Sequence, residues 1–200
     1  MVHKYIDKKS AKTLIMLHGT GADENDLIPL AEMIDKNSNI LSIRGNVSEN
    51  GMNRFFKRKG MGRYDLTSFE LESKNLANNL LNFSNKYQFK LRDATIVGFS
   101  NGANIAQGVI ANYPNLVKNY VLLSPDYINP KQGFDQPLKD YHVYISSAKD
   151  DPYTSFDKIT KLIDDLEQKG ANVDLYIGSG HRIEQKALLE IIDWYKQIHR

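Results

Sequence analysis

The run Ala94-Thr95-Ile96-Val97-Gly98-Phe99-Ser100-Asn101-Gly102-Ala103 decides how this chain is read. Residues 94–97 are rich in β-branched side chains and read as a strand, while Ala103, Ile105, Ala106, Val109 and Ile110 continue beyond the glycines as a helix. Gly98-Phe99-Ser100-Asn101-Gly102 between them is a G-x-S-x-G element in the strand–turn–helix setting of a nucleophile elbow. About 0.05 such matches are expected by chance, so the placement carries more weight than the bare pattern. A turn this sharp forces the serine into a strained backbone conformation, and flanking residues without Cβ let neighbouring chain approach it.

Working outward, similar short apolar runs recur at 13–17, 40–43, 120–123, 142–146 and 173–177. Most are continuous rather than alternating in polarity, as strands covered on both faces are, and helical patterns separate them. The expected architecture is a mostly parallel sheet with helices on both faces, and residues 1–200 read as one domain. Thr67-Ser68-Phe69-Glu70 and Thr154-Ser155-Phe156-Asp157 have the capping-box form and mark two helix starts. After the second, Phe156, Ile159, Leu162, Ile163 and Leu166 hold an apolar stripe up to Gly170, a left-handed stop. Ile183, Ala187, Leu188, Ile191, Ile192, Tyr195 and Ile198 form a last helical stripe. Residues 45–65 break the pattern with four glycines and no sustained periodicity, and loops of that length are usually functional or disordered.

Composition narrows the function classes. With no cysteine, disulfides, thiolate nucleophiles and cysteine-based metal sites are excluded. Lys+Arg 26 against Asp+Glu 24 gives a net charge of +2, too balanced for a nucleic-acid partner. No apolar stretch approaches the ~20 residues of a membrane span, and residues 1–10 lack the apolar core of a signal peptide, so a cytoplasmic location is expected.

A serine hydroxyl is a poor nucleophile near neutral pH and needs a base. Of five histidines, His181 stands in Gly178-Ser179-Gly180-His181, directly after the last strand and before the last helix. That places it at the strand C-terminal edge, where Ser100 lies. The base in turn needs a carboxylate to fix its tautomer. Asp150 and Asp151 follow the 142–146 strand, and Asp126 follows 120–123; each is a candidate. Nucleophile, acid, histidine is the chain order of α/β-hydrolases. Two backbone NH groups must then hold the oxyanion. Asn101 offers one at a helix N-terminus; Thr20, in Leu17-His18-Gly19-Thr20-Gly21 after the 13–17 strand, offers the other. His18 reads as structural, its ring bonding loop backbone.

Taken together, His18-Gly19-Thr20-Gly21, Arg44-Gly45, Gly98-Phe99-Ser100-Asn101-Gly102, Asp151-Pro152 and Gly180-His181 resemble the small phospholipase/carboxylesterase family of α/β-hydrolases, which includes acyl-protein thioesterases. Residues 44–56 look most like its bacterial carboxylesterase branch, whose members often act on small esters. In that family the acid precedes the proline, which implies Asp151. Ala148 is a departure, since such enzymes usually carry glycine there. The resemblance implies an α/β-hydrolase without a separate cap domain, hydrolysing a small-molecule ester through an acyl-enzyme, with no metal or organic cofactor. A thioesterase would need the same machinery, and a ligand-sensing hydrolase fold is the reading outside enzymes.

Substrate choice should fall to residues 45–65, because the segment 124–141 is too short for a cap. Arg54, Phe55 and Met52 are the candidate contacts. Arg54, Lys57, Arg58, Lys59 and Arg63 form either a solvated basic loop or a site for a carboxylate or phosphate; Phe55, Phe56, Met52 and Met61 are loop packing or an acyl pocket. An uncapped site should offer little apolar surface, which favours short acyl chains. Gly19-Thr20-Gly21-Ala22-Asp23-Glu24 mimics a dinucleotide loop, but Glu24 stands where the third glycine belongs and would repel a pyrophosphate.

Overall fold

The central strands read as unbroken apolar runs because each has a hydrophobic core on either side. In the computed structural model, which describes residues 1–60 and 62–200, seven strands form one sheet: β1 (His3–Ile6), β2 (Thr13–Leu17), β3 (Asn39–Ile43), β8 (Thr95–Phe99), β9 (Asn119–Leu123), β10 (His142–Ala148) and β11 (Asn172–Gly178), in the order β1-β3-β2-β8-β9-β10-β11. All neighbours are parallel except β1, which pairs antiparallel with β3. Ile15 and Leu17 of β2 point into one core, Leu14 and Met16 into the other, and Ile96 and Val97 of β8 divide likewise. This is the α/β-hydrolase architecture, and no cap domain stands over it among the described residues.

Helices α2 (Leu66–Tyr87), α3 (Asn101–Asn112) and α4 (Phe156–Gln168) cover one face through Phe69, Leu76, Ile105, Val109, Ile159 and Leu162. Helices α1 (Ile28–Ile34) and α5 (Gln185–Ile198) cover the other through Leu30, Ile34, Ile191 and Trp194. No helix is long and apolar enough to cross a membrane among the described residues.

Several local expectations change. Helix α2 starts two residues earlier than its sequence box: Asp65 rather than Thr67 is the cap, its side chain accepting from the Ser68 NH at 3.0 Å. At α4 the cap position is Ser155 without a side-chain bond, because the Thr154 hydroxyl is spent on Asp126 at 2.8 Å. Gly170 does take the left-handed conformation, φ +92°. Residues 45–65 are no featureless loop. They fold into two hairpins, β4 (Val47–Glu49) with β5 (Met52–Arg54), and β6 (Arg58–Gly60) with β7 (Arg63–Tyr64). The first turns on Asn50-Gly51, both at positive φ (+53° and +78°), the combination a tight hairpin demands.

The elbow glycines are fixed by close approach. A Cβ on Gly102 would fall on the backbone of Leu17 and His18, and one on Gly98 would meet Gly102 and Ala103 backbone at 2.5–2.6 Å. Backbone cannot step aside as a side-chain tip can, so α3 lies against the end of β2 only if residue 102 is glycine. Gly102→Ala should therefore lose about 3 kcal/mol or more of stability in urea denaturation; an unshifted midpoint would mean that α3 can slide away from β2 at little cost.

Candidate active site

The sheet's carboxyl edge gathers side chains from five separate segments. Ser100 forms the corner between β8 and α3 at φ +51°, ψ −112°, a region that L residues seldom occupy, and its NH is tied to the Leu123 carbonyl at 2.8 Å. Strain of this kind costs about 1–3 kcal/mol and persists only where surrounding structure dictates it. Here β9 and the Leu17–Gly102 contact do so. The consequence is a hydroxyl held out beyond the strand ends, half-buried in a cleft of about 320 Å³.

His181 Nε2 lies 2.9 Å from Ser100 Oγ, and His181 Nδ1 lies 2.8 Å from Asp151 Oδ2. The Asp151 side chain is fully buried, and its other oxygen accepts the Tyr153 NH at 2.8 Å. The imidazole is held between Phe99 and Tyr153, ring centroids 5.3 and 4.8 Å away. Neither of the other candidate acids reaches it. Asp150 accepts from the Gly180 NH and the Ser179 hydroxyl at 2.8 and 3.0 Å, bonds that hold its carboxyl below the usual range and brace the histidine loop from behind. Asp126 is buried and engages Tyr64, Thr154 and Lys158.

The loop after β2 is fastened from several sides. His18 Nε2 accepts the Gly45 NH at 3.1 Å, so its proton sits on Nδ1 and is donated to the Gly19 carbonyl at 2.6 Å. Burial lowers the pKa of this ring and keeps it neutral, as that bonding requires. The Gly21 NH donates to the Asn53 carbonyl, and Glu24, the residue that spoils a dinucleotide loop, is taken by Arg44 through both carboxylate oxygens. These restraints leave the Thr20 and Asn101 NH groups without hydrogen-bond partners among the described residues, the state in which an anion would find them.

The hairpins supply the rest of the wall, and here the sequence expectations need correction. Arg54 lines the cleft, as do Arg58 and Tyr64. Phe55, expected beside substrate, is fully buried in the sheet core with Phe56; its backbone NH, donating to Asn101 Oδ1 at 2.6 Å, is what reaches the site. Arg54 ends β5 facing the cleft, and the bend that follows turns both Phe55 and Phe56 into the core. Met52 sits on the hairpin over Gly21 and is absent from the cleft wall. Met61 lies outside the described residues. Four wall residues went unnoticed in the sequence, Gly62, Tyr64, Asn104 and Tyr153. Only Tyr153 carried a signal, its place two residues after the acid.

A second, shallower depression of about 860 Å³ runs between α1 and α5, walled by Leu27, Leu30, Met33, Ile183, Leu188 and Ile192. Phe99 and His181 belong to both spaces. Apolar surface near the site is thus more plentiful than an uncapped fold suggested.

No family model matches the chain. It is 33% identical over 199 residues to the Bacillus subtilis (strain 168) protein named Putative hydrolase MhqD, covering 98% of each. Among solved structures, the Bacillus cereus carboxylesterase superposes with a TM-score of 0.93 at 34% identity, over 98% of this chain and 93% of that one. A carboxylesterase from Mesorhizobium loti gives a TM-score of 0.89 at 26% identity, over 97% and 93%.

Proposed function

The chain belongs to the small phospholipase/carboxylesterase family of α/β-hydrolases and is a carboxylic ester hydrolase; we propose that it works through an acyl-enzyme on Ser100 and favours small, short-acyl esters. The observation that carries this reading is the continuous chain of contacts from Ser100 Oγ through His181 to the buried Asp151 carboxylate. Ser100 Oγ attacks the ester carbonyl as His181 Nε2 takes its proton. Asp151 holds the ring in the tautomer with the Nδ1 proton and offsets the imidazolium charge. The Thr20 and Asn101 NH groups receive the oxyanion, and the α3 dipole adds to their field. His181 then returns the proton to the leaving oxygen, and water releases the acyl group by the same route in reverse.

Size supports the short-acyl part. A cleft of about 320 Å³ leaves room for a short acyl chain beside Ser100. The apolar depression starts at His181, the group that protonates the leaving oxygen, so it serves bulk on the alcohol side and leaves the acyl side to the cleft. The reading is tested with p-nitrophenyl esters from acetyl to dodecanoyl. Expected is a kcat/KM maximum among the shorter acyl chains, falling toward dodecanoyl. A steady climb to dodecanoyl would place the acyl chain in the depression between α1 and α5 instead.

A further inference from the structure

The cleft beside Ser100 carries two guanidinium groups and, among its described wall residues, no carboxylate. Arg54 is the unusual one. Its side chain is only 4% exposed, yet it has no counter-ion of its own: Glu49 is nearest at 3.7 Å and lies closer, at 3.0 Å, to Arg58. Arg54 Nε donates to the Phe56 carbonyl at 3.2 Å and Nη1 to the Thr20 hydroxyl at 2.6 Å, while Nη2 makes no hydrogen bond among the described residues. Burial, followed by the Arg58 charge, lowers the pKa of this guanidinium, the mark of a cation under-compensated by its surroundings. Two positive groups therefore share one carboxylate, and the surplus charge faces the cleft.

The neighbouring polar groups are also donors. Asn104 Oδ1 is committed to the Asp126 NH at 2.8 Å, which turns its amide NH₂ toward the cleft it lines. Tyr64 gives its hydroxyl proton to Asp126, and burial together with that carboxylate pushes its phenol far up, so it adds no negative charge to the wall. A guanidinium this deep, with Nη2 left open only on the cleft side among the described residues, favours an anion there.

We infer that Arg54 and Arg58 recognise a carboxylate carried on the acyl part of the substrate, so that the preferred esters are half-esters of small dicarboxylic acids. This rests on the acyl-enzyme reading above and names the substrate class of the same site. The acyl side is assigned because Arg54 is bonded to Thr20, on the oxyanion side of Ser100, whereas the leaving oxygen must lie at His181. The planar fork of a guanidinium matches a carboxylate through two parallel bonds, which is why the pair should select charge rather than tolerate it.

The test follows hydrolysis of monomethyl succinate, glutarate and adipate against methyl butyrate and methyl pentanoate by pH-stat, with fluorophosphonate labelling of each sample. Expected is a ratio of kcat/KM, best half-ester over best neutral ester, of roughly tenfold to a hundredfold in the wild type, expressed mainly in KM. Arg58→Gln should lower that ratio several-fold, Arg58→Glu should bring it below one, and Arg54→Lys should retain part of it. Arg54→Met should bring it near one; if that variant fails to fold, the Arg58 pair decides the matter. Glutarate should inhibit competitively in the wild type and weakly in Arg58→Glu. A ratio near one in labelled, active wild type overturns this inference alone. Absence of labelling overturns the serine-esterase reading and this inference with it.

Discussion

Replacing Ser100 by alanine is expected to lower kcat by about 10⁶-fold and to abolish fluorophosphonate labelling, with the folded protein recovered in full. The size of the effect follows from what the substitution removes. Without Oγ no acyl-enzyme forms, and what remains is substrate binding and two NH groups polarising the carbonyl toward water. Those donors belong to the backbone of Thr20 and Asn101 and survive the change. Stability should hardly move, because Ser100 Oγ bonds only to His181 among the described residues and the positive φ is imposed by the β9 tether, which alanine keeps. His181→Ala should be nearly as damaging, and the double variant little worse than either, since nucleophile and base act as one unit. Retention of more than about a hundredth of wild-type kcat would be far above that residual rate and would move the nucleophile to another residue.

Much of this constellation could be read from the chain because its parts follow strands of one parallel sheet, most of them buried, with β11 before His181 the exposed exception. The buried strands announce themselves: β2, β3, β8, β9 and β10 are almost wholly buried, and burial on both faces leaves an unbroken apolar run. The residues following each run must then lie along one edge of a parallel sheet, which is enough to bring positions 20, 100, 151 and 181 near one another without coordinates. β1 escaped notice for the opposite reason. As a partly exposed edge strand with His3 and Lys4 in a four-residue segment, it has no buried face to impose a pattern.

The 45–65 region shows where pattern reading fails. Its hairpins are too short for periodicity, and the informative feature was Asn50-Gly51, a dipeptide that favours a two-residue turn. Reading it would have set the register Val47↔Arg54 and ended the hairpin at Arg54, leaving the bend that buries Phe55 and Phe56 beyond it unread. Tyr64 and Asn104 were illegible for a different reason. They come from distant segments, and nothing in a tyrosine or an asparagine announces that it will meet Asp126. Asp126 itself was plausible as an acid because it follows a strand; its hydrogen bonds instead tie the second hairpin to the start of α4 through Tyr64 and Thr154.

That division of labour among three aspartates gives the second large prediction. Asp151→Asn should reduce kcat by about 10⁴-fold with little change in KM, because an amide at this position can offer its NH₂ to Nδ1 and favour the tautomer with the proton on Nε2, which cannot accept from Ser100. Burial sharpens the effect: the Asp151 side chain is 0% exposed, so no water can stand in for the lost charge. Asp150→Asn should cost only a few-fold, since an amide oxygen still accepts from the Gly180 NH and the ring keeps its own acid. Asp126→Asn should act on the wall rather than on the proton path. It weakens the bonds to Tyr64, Thr154 and Lys158, and its signature should be lower stability and altered KM with kcat largely kept. Steady-state kinetics on a single neutral ester, with urea midpoints for each variant, separates the three. If Asp126→Asn lost kcat as heavily as Asp151→Asn while remaining folded, the hairpin and the histidine would have to be coupled through Thr154 and the acid loop, and Asp151 could not be assigned the orienting role alone.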